Sequence, residues 1–263
     1  MPSSYAHYRF GSQLIPILPA DVRRPVLRHR ALFDMGLHGP DFLFFHDLFK
    51  PTNLFQVGSR YHEQSGRVFF TRVCAQLRTN TSEAGSAYLY GLLTHYCLDS
   101  YCHPLVYSMT DDGSIGHSEL ETEFDRFLLA LDGHKKPHEV SLSRHMKLNS
   151  EDISTVAAFY PDTAPKDVAK CIRNMALAQQ LTAIPTLIGH LAVEKVTKMA
   201  NKNTAGKVMT IGPNPNCAHL NAPLLERYQQ ALTAFPAYLE QLSAHMAYGE
   251  PLGDHFTANF NRG

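Results

Sequence analysis

Residues 82–104 read SEAGSAYLYGLLTHYCLDSYCHP. Alanine, leucine and tyrosine occupy most sides of a 3.6-residue repeat here, so the stretch predicts a long helix that is buried rather than amphipathic, with Pro104 following its end. Inside it, His95, Asp99 and His103 recur at every fourth position. At about 100° per residue these three side chains lie within roughly 80° of one helix face. A lone helical histidine is ordinarily a hydrogen-bonded core or surface residue. An aspartate between two histidines on a buried helix is a different matter, because an unpaired buried carboxylate is costly and a metal ion compensates its charge.

Downstream, HSELE at residues 117–121 opens another helical segment, setting His117 and Glu121 one turn apart on one face and Asp125 one turn further. Histidine nitrogen and carboxylate oxygen are donors that zinc takes, and a catalytic zinc keeps one position open for water. Two helices carrying such donors can share a metal cage. The five cysteines do not join it. Cys97 and Cys102 fall on other phases of the central helix, Cys74, Cys171 and Cys217 are isolated, and all five are expected to pack as reduced thiols.

Apolar residues at helical spacing recur through most of the 263 residues, whereas the alternation that marks strands is scarce. Upstream of the central helix, the pattern predicts a helix from about Ser4, a second from Val22 to Met35 with Gly36 as its C-cap, and a third from Ser59 to Leu77. Downstream, it predicts helices from His117 to Leu131 ending at Gly133, from Ala164 to about Met199 with a kink or break at Pro185, and from about Leu224 to Ala247. Residues 133–150 and 205–223, the latter containing GPNPN, read as loops. Neither an internal repeat nor a Gly/Ser linker divides the chain. The expectation is an all-α protein, a multi-helix bundle with residues 1–263 in a single domain.

A hydrophobic fraction of 44% and a charged fraction of 18% set aside disordered, collagen-like and coiled-coil classes. With 24 basic and 24 acidic side chains, no whole-chain charge attracts nucleic acid or anionic membrane. Histidine is the anomaly, at 15 residues in a chain without tryptophan. No apolar run approaches the ~20 residues of a membrane helix, and the N-terminus has no secretory pattern, so the expected location is cytoplasmic.

These residues resemble the zinc-dependent phospholipase C family, whose relatives of similar fold include the S1/P1-type nucleases. The family pattern is a His and an Asp separated by three residues, a nearby His, and later a His and an acidic residue separated by three. His95, Asp99, His103, His117 and Glu121 stand in that order, with a tighter Asp99-to-His103 step than in the secreted phospholipases. The segments MPSSYAHYRFG, GPDFLFF, YHEQSGRVFF, AYLYGLLTHYCLDSYCHP and GHSELETEFDR are similar to the intracellular branch, and together they cover roughly residues 1–130.

The resemblance implies further ligands: His7, Asp41 in GPDFLFF, and His62. Turn capping for Asp41 and surface exposure for the two histidines are the plainer alternatives. His46 competes with His62, which is preferred for its place opening a helical segment. By the resemblance, the cofactor is zinc, as two or three ions: Asp41, His62 and His95 on one, His103, His117 and Glu121 on another, His7 on a third, and Asp99 bridging two. The family completes its third site with the N-terminal amine and first carbonyl. In this chain Met1, or Pro2 after removal of Met1, takes that place without the family's N-terminal tryptophan.

The implied function is metal-dependent phosphodiester hydrolysis of the phospholipase C kind, with a multinuclear zinc site activating water and Asp41 as ligand and catalytic general base. The expected partner is a phosphodiester, by the resemblance a phospholipid. FLFF at 42–45 either meets acyl chains or simply packs the core. A nuclease-type phosphodiesterase needs an aromatic platform and positive charge. A non-catalytic metal-binding protein needs closed, four-ligand sites. HD-type phosphohydrolases need adjacent His and Asp ligands, and His46-Asp47, the only such dipeptide before the central helix, has no partners in the right order.

Overall fold

A computed structural model of the chain describes residues 4–48, 50, 52–79, 82–186, 189–193, 195 and 206–261. Its α-helices include, in chain order, α1 (Ser4–Leu14), α2 (Ala20–Arg28), α3 (Arg30–Gly36), α4 (Asn53–Glu63), α5 (Gly66–Thr79), α6 (Glu83–Thr110), α7 (His117–Leu131), α8 (Ser150–Ala158), α9 (Pro165–Thr182) and α10 (Asn221–Tyr248). A 3-10 turn at Gly39–Phe45 links α3 to α4. Among the described residues there is no strand, only an isolated β-bridge between Ser65 and Asn259. The fold is all-α.

Helix α6 is the axis of the molecule. Ser82 caps it by accepting the Gly85 amide at 3.2 Å, and every residue from Gly91 to Asp99 is buried. Helices α3 and α10 pack along it, and one apolar cluster extends from Ala6 in α1 to Phe260 in the C-terminal tail. The α3–α6 crossing depends on glycine from both sides. A Cβ added to either Gly36 or Gly91 would lie 2.8 Å from the other's Cα. Pro104 does not end α6, which continues to Thr110. Proline removes one backbone donor from the ladder, while Val106 beyond it stays in the core at 2% exposure.

Two expected helices are divided. The Val22–Met35 segment breaks at His29 (φ −114°, ψ 47°) into α2 and α3, a turn that brings α3 onto α6. Gly36 is the last residue of α3 rather than a left-handed cap, and the positive φ falls instead at Gly39 (52°). The Ser59–Leu77 segment breaks at Gln64 and Ser65 into α4 and α5. The C-terminal tail enters at that break: the Gly66 amide donates to the Ala258 carbonyl at 2.7 Å, and the Phe260 amide to the His62 carbonyl at 3.1 Å.

The 133–150 loop contains two 3-10 turns, Pro137–Glu139 and Ser143–Met146, with Leu142 and Met146 in the core. Helix α8 adds an element that periodicity alone does not bring out. Its signal is the reciprocal cap of Asn149 and Asp152. Helix α9 stops at Thr182, before Pro185, and part of the expected helix to Met199 lies outside the described residues. The GPNPN loop is tied to α7, where Glu123 accepts the Asn214 amide at 3.0 Å and Asn221 at 2.9 Å while pairing with Arg126 at 2.7 Å. No described helix is long and apolar enough to cross a membrane.

Candidate metal centre

Five elements deliver the eight residues singled out in the sequence. Helix α6 supplies His95, Asp99 and His103, α7 supplies His117 and Glu121, α1 supplies His7, α4 supplies His62, and the 3-10 turn supplies Asp41. All are buried except the half-buried His117. The delivery has local causes. Asp125 on α7 accepts the amides of Tyr5 and Ala6 at 2.9 and 2.7 Å, which caps the start of α1 and sets His7 facing α6. Gly39 brings the 3-10 turn against α6, where any Cβ would overlap the His95 ring. His62 sits in the last turn of α4 rather than at the opening of a helix.

Asp99 lies at the middle of the cluster. Its Oδ1 is 3.2 Å from His7 Nε2 and 3.7 Å from His103 Nε2, and its Oδ2 is 2.9 Å from His95 Nε2. Asp41 Oδ1 is 2.7 Å from His62 Nε2, and its Oδ2 is 3.8 Å from His95 Nε2. Glu121 Oε1 is 3.3 Å from His103 Nε2 and 3.1 Å from His117 Nε2. Three donor groups result, each with its ligand atoms within 4.8 Å of one another: His7, His95 and Asp99; Asp41, His62 and His95; and His103, His117 and Glu121.

Hydrogen bonding at the far side of the rings favours metal donors over an ordinary polar core. His62 Nδ1 donates to the Gly58 carbonyl at 2.8 Å, His95 Nδ1 to the Leu37 carbonyl at 3.1 Å, and His103 Nδ1 to the Phe260 carbonyl. Each bond orients the ring and, once the ring is neutral, fixes the tautomer that leaves the Nε2 lone pair for a metal, the arrangement that outer partners impose on metal-ligating histidines. Asp41 Oδ2 is buried and has no hydrogen-bond partner among the described residues, with His95 Nε2 3.8 Å away. An unsatisfied buried acceptor is expensive, and a divalent cation would account for it. The nitrogen and oxygen donor set suits zinc.

The electrostatics of the metal-free cluster follow from the same contacts. Burial alone would raise the Asp99 pKa, but His103, His95 and His7 hold it well below the usual carboxylate range. Burial opposes Asp41 in the same way, and His95 and His62 lower it. His103 is disfavoured as a cation by burial, yet Asp99 and Glu121 raise its pKa to about 9. His7 is lowered, by burial and by its neighbour His95.

If His103 ligates zinc, proton release on metal binding is the expected consequence. At pH 7.5 the metal-free protein carries a proton on His103, whereas zinc takes only the neutral ring. Adding zinc in weak buffer is expected to release at least about one proton per chain. The release attributable to His103 diminishes as pH rises through about 9, where the ring is already neutral. An indicator-dye titration showing no proton release at pH 7.5 would contradict this electrostatic picture.

A cavity of about 450 Å³ opens over two of the three donor groups, with Asp41, His62, His103, His117 and Glu121 in its wall. Phe44, Phe55 and Tyr107 form its aromatic side, the two phenylalanine rings 4.9 Å apart. Within FLFF, then, Phe42, Leu43 and Phe45 pack the core and only Phe44 meets the cavity. His46 lies elsewhere, 3.6 Å from Asp167. The five cysteines are buried free thiols. Sequence reasoning did not single out Phe260 or Lys207, a cavity-lining residue. Neither lies in a motif, and each reaches the site from a segment distant in sequence. The expected participation of the N-terminal amine concerns residues outside those described.

The family model for zinc-dependent phospholipase C matches residues 6–171, which include all eight residues of the cluster. Neither the curated proteins nor the solved structures contain a match to the chain.

Proposed function

Since the chain belongs to the zinc-dependent phospholipase C family, we propose that it is a hydrolase of phosphodiesters whose reaction takes place in the cavity over the donor cluster. The observation that carries this reading is the sharing of donors. Asp99 reaches histidines of all three groups, and a carboxylate, unlike a single ring nitrogen, can serve two ions, so neighbouring ions would be held close together beside an open cavity. A structural zinc site, by contrast, is closed by four protein ligands.

In this reading Asp41, His62 and His95 would hold one zinc, His103, His117 and Glu121 a second, and His7 with Asp99 a third, with Asp99 shared. Zinc, when bound, lowers the pKa of water to near neutrality and offsets the charge of phosphoryl oxygens. The remaining work falls to the chain. Asp41 Oδ2, which accepts no hydrogen bond from a described residue, receives the proton from the attacking water while the other carboxylate oxygen would serve the metal. Carbonyls behind His62, His95 and His103 hold the rings against rotation through the reaction. Phe44, Phe55 and Tyr107 offer the organic part of the substrate an apolar wall. The same rings can stack a base, which gives a nuclease-type phosphodiesterase its one specific support.

The reading predicts release of 4-nitrophenol from 4-nitrophenyl phosphorylcholine by zinc-loaded protein, and single-stranded DNA serves as the competing substrate. Nucleotide release without 4-nitrophenol would move the function to the nuclease class. Asp41→Asn is expected to lower turnover by about a hundredfold, the scale of a lost general base, and to lower zinc content much less. Full turnover in that variant would remove the base role from Asp41.

A further inference from the structure

The cavity wall contains one lysine and no arginine among its described lining residues, and the lysine comes from outside the family match: Lys207. Its backbone is packed on both sides. Gly206 lies so close to α7 that a Cβ there would be 2.6 Å from the Glu119 amide nitrogen, and Val208 is 5% exposed on the other side. Lys207 itself is half-buried, and no hydrogen bond or ion pair joins it to a described residue. Burial is the cause that lowers its pKa, with no carboxylate opposing it.

The carboxylates of the same wall are largely committed elsewhere. Asp41 is bonded to His62, Glu121 faces His103 and His117, and Glu119 accepts from Asn214 and Asn216 at 2.9 and 3.1 Å. Glu63, also in the wall, is exposed to solvent. A partly desolvated ammonium is costly until an anion pairs with it. In a cavity over a zinc-type donor cluster, the anion that meets both is a phosphoryl group.

On the phosphodiesterase reading, on which the identity of the ligand rests, we propose that Lys207 is a substrate-binding residue of this site whose ammonium takes a phosphoryl oxyanion. That oxyanion belongs either to the scissile diester or to a second phosphate on the same substrate. Lysine acts here as a point charge that needs no bidentate geometry. The C-terminal half thus contributes substrate affinity to a metal cluster supplied by the N-terminal half.

The test uses inorganic phosphate as the probe, with zinc-loaded wild type, Lys207→Met and Lys207→Arg compared at equal zinc content. Lys207→Met is expected to weaken phosphate binding by roughly tenfold to a hundredfold, the value of one charged hydrogen bond, and Lys207→Arg to restore most of it. On bis(4-nitrophenyl) phosphate, an equal loss in kcat/KM assigns Lys207 to the scissile phosphate. A loss confined to diesters bearing a second phosphate assigns it to that group, and either pattern supports an anion-binding lysine. Unchanged phosphate affinity in Lys207→Met, or no phosphate binding by wild type, overturns the assignment. Lys207-dependent phosphate binding by a wild type that cleaves no diester leaves the lysine in place and removes the hydrolase reading.

Discussion

Asp99→Ala is expected to strip the protein of most of its zinc and to lower diester hydrolysis by at least about a thousandfold, the upper range for loss of one electrostatic group from an active site. The expectation rests on the position of Asp99, within 3.7 Å of His7, His95 and His103 from a single carboxylate. No other residue of the cluster contacts as many of its histidines by ion-pair geometry. Asp99→Asn separates charge from packing, since the amide preserves the shape of a fully buried side chain and removes the charge that offsets the metal. Zinc content by mass spectrometry and kcat/KM are expected to fall together in both variants. Retention of wild-type zinc and rate in Asp99→Asn would mean that Asp99 is a packing residue.

Cutting the chain after Thr257 is the second large effect expected. The tail contains no charged candidate ligand within the described residues, yet it touches members of all three donor groups. The Phe260 amide donates to the His62 carbonyl, and the Phe260 carbonyl accepts from His103 Nδ1. Its ring is fully buried against His62, His95, Phe69 and Tyr96. Loss of a buried phenylalanine costs about 3–5 kcal/mol of stability, and loss of an outer partner costs a ligand site roughly 10–100-fold in metal affinity. Should the truncated chain not fold, Phe260→Leu keeps both backbone bonds while reducing the packing. That variant is expected to lose stability in urea unfolding and to retain its zinc affinity. A truncated chain that folds and binds zinc as tightly as the full protein would show that the tail only covers the site.

Much of the centre was legible because it depends on helical periodicity. His95, Asp99 and His103 share a face of α6 by spacing alone, and His117 and Glu121 do so on α7, so two helices sufficed to indicate the middle of the cluster. His7, Asp41 and His62 were accessible only through family resemblance, because each comes from a different element and no local pattern ties them together. The divided helices were hidden for a related reason. The local signal at Gln64 and Ser65 is slight, a single Ser65-Gly66 dipeptide inside a helical pattern. The partner that bonds at the break is the tail, nearly two hundred positions away. Likewise Gly36 reads locally as a helix terminator, whereas its actual constraint is the backbone of Gly91 across the crossing. Pro104 shows the reverse, a strong local stop signal that does not end the helix, with Val106 beyond it packed in the core.

The most direct measurement is diffraction from crystals of zinc-loaded protein at wavelengths on either side of the zinc edge. The account predicts a group of anomalous peaks, not one: a peak among Asp41, His62 and His95, a second among His103, His117 and Glu121, and a third beside His7, with Asp99 shared and at least one ion facing the cavity. A single peak closed by four protein side chains, or no peak at these residues, would contradict a multinuclear hydrolytic centre.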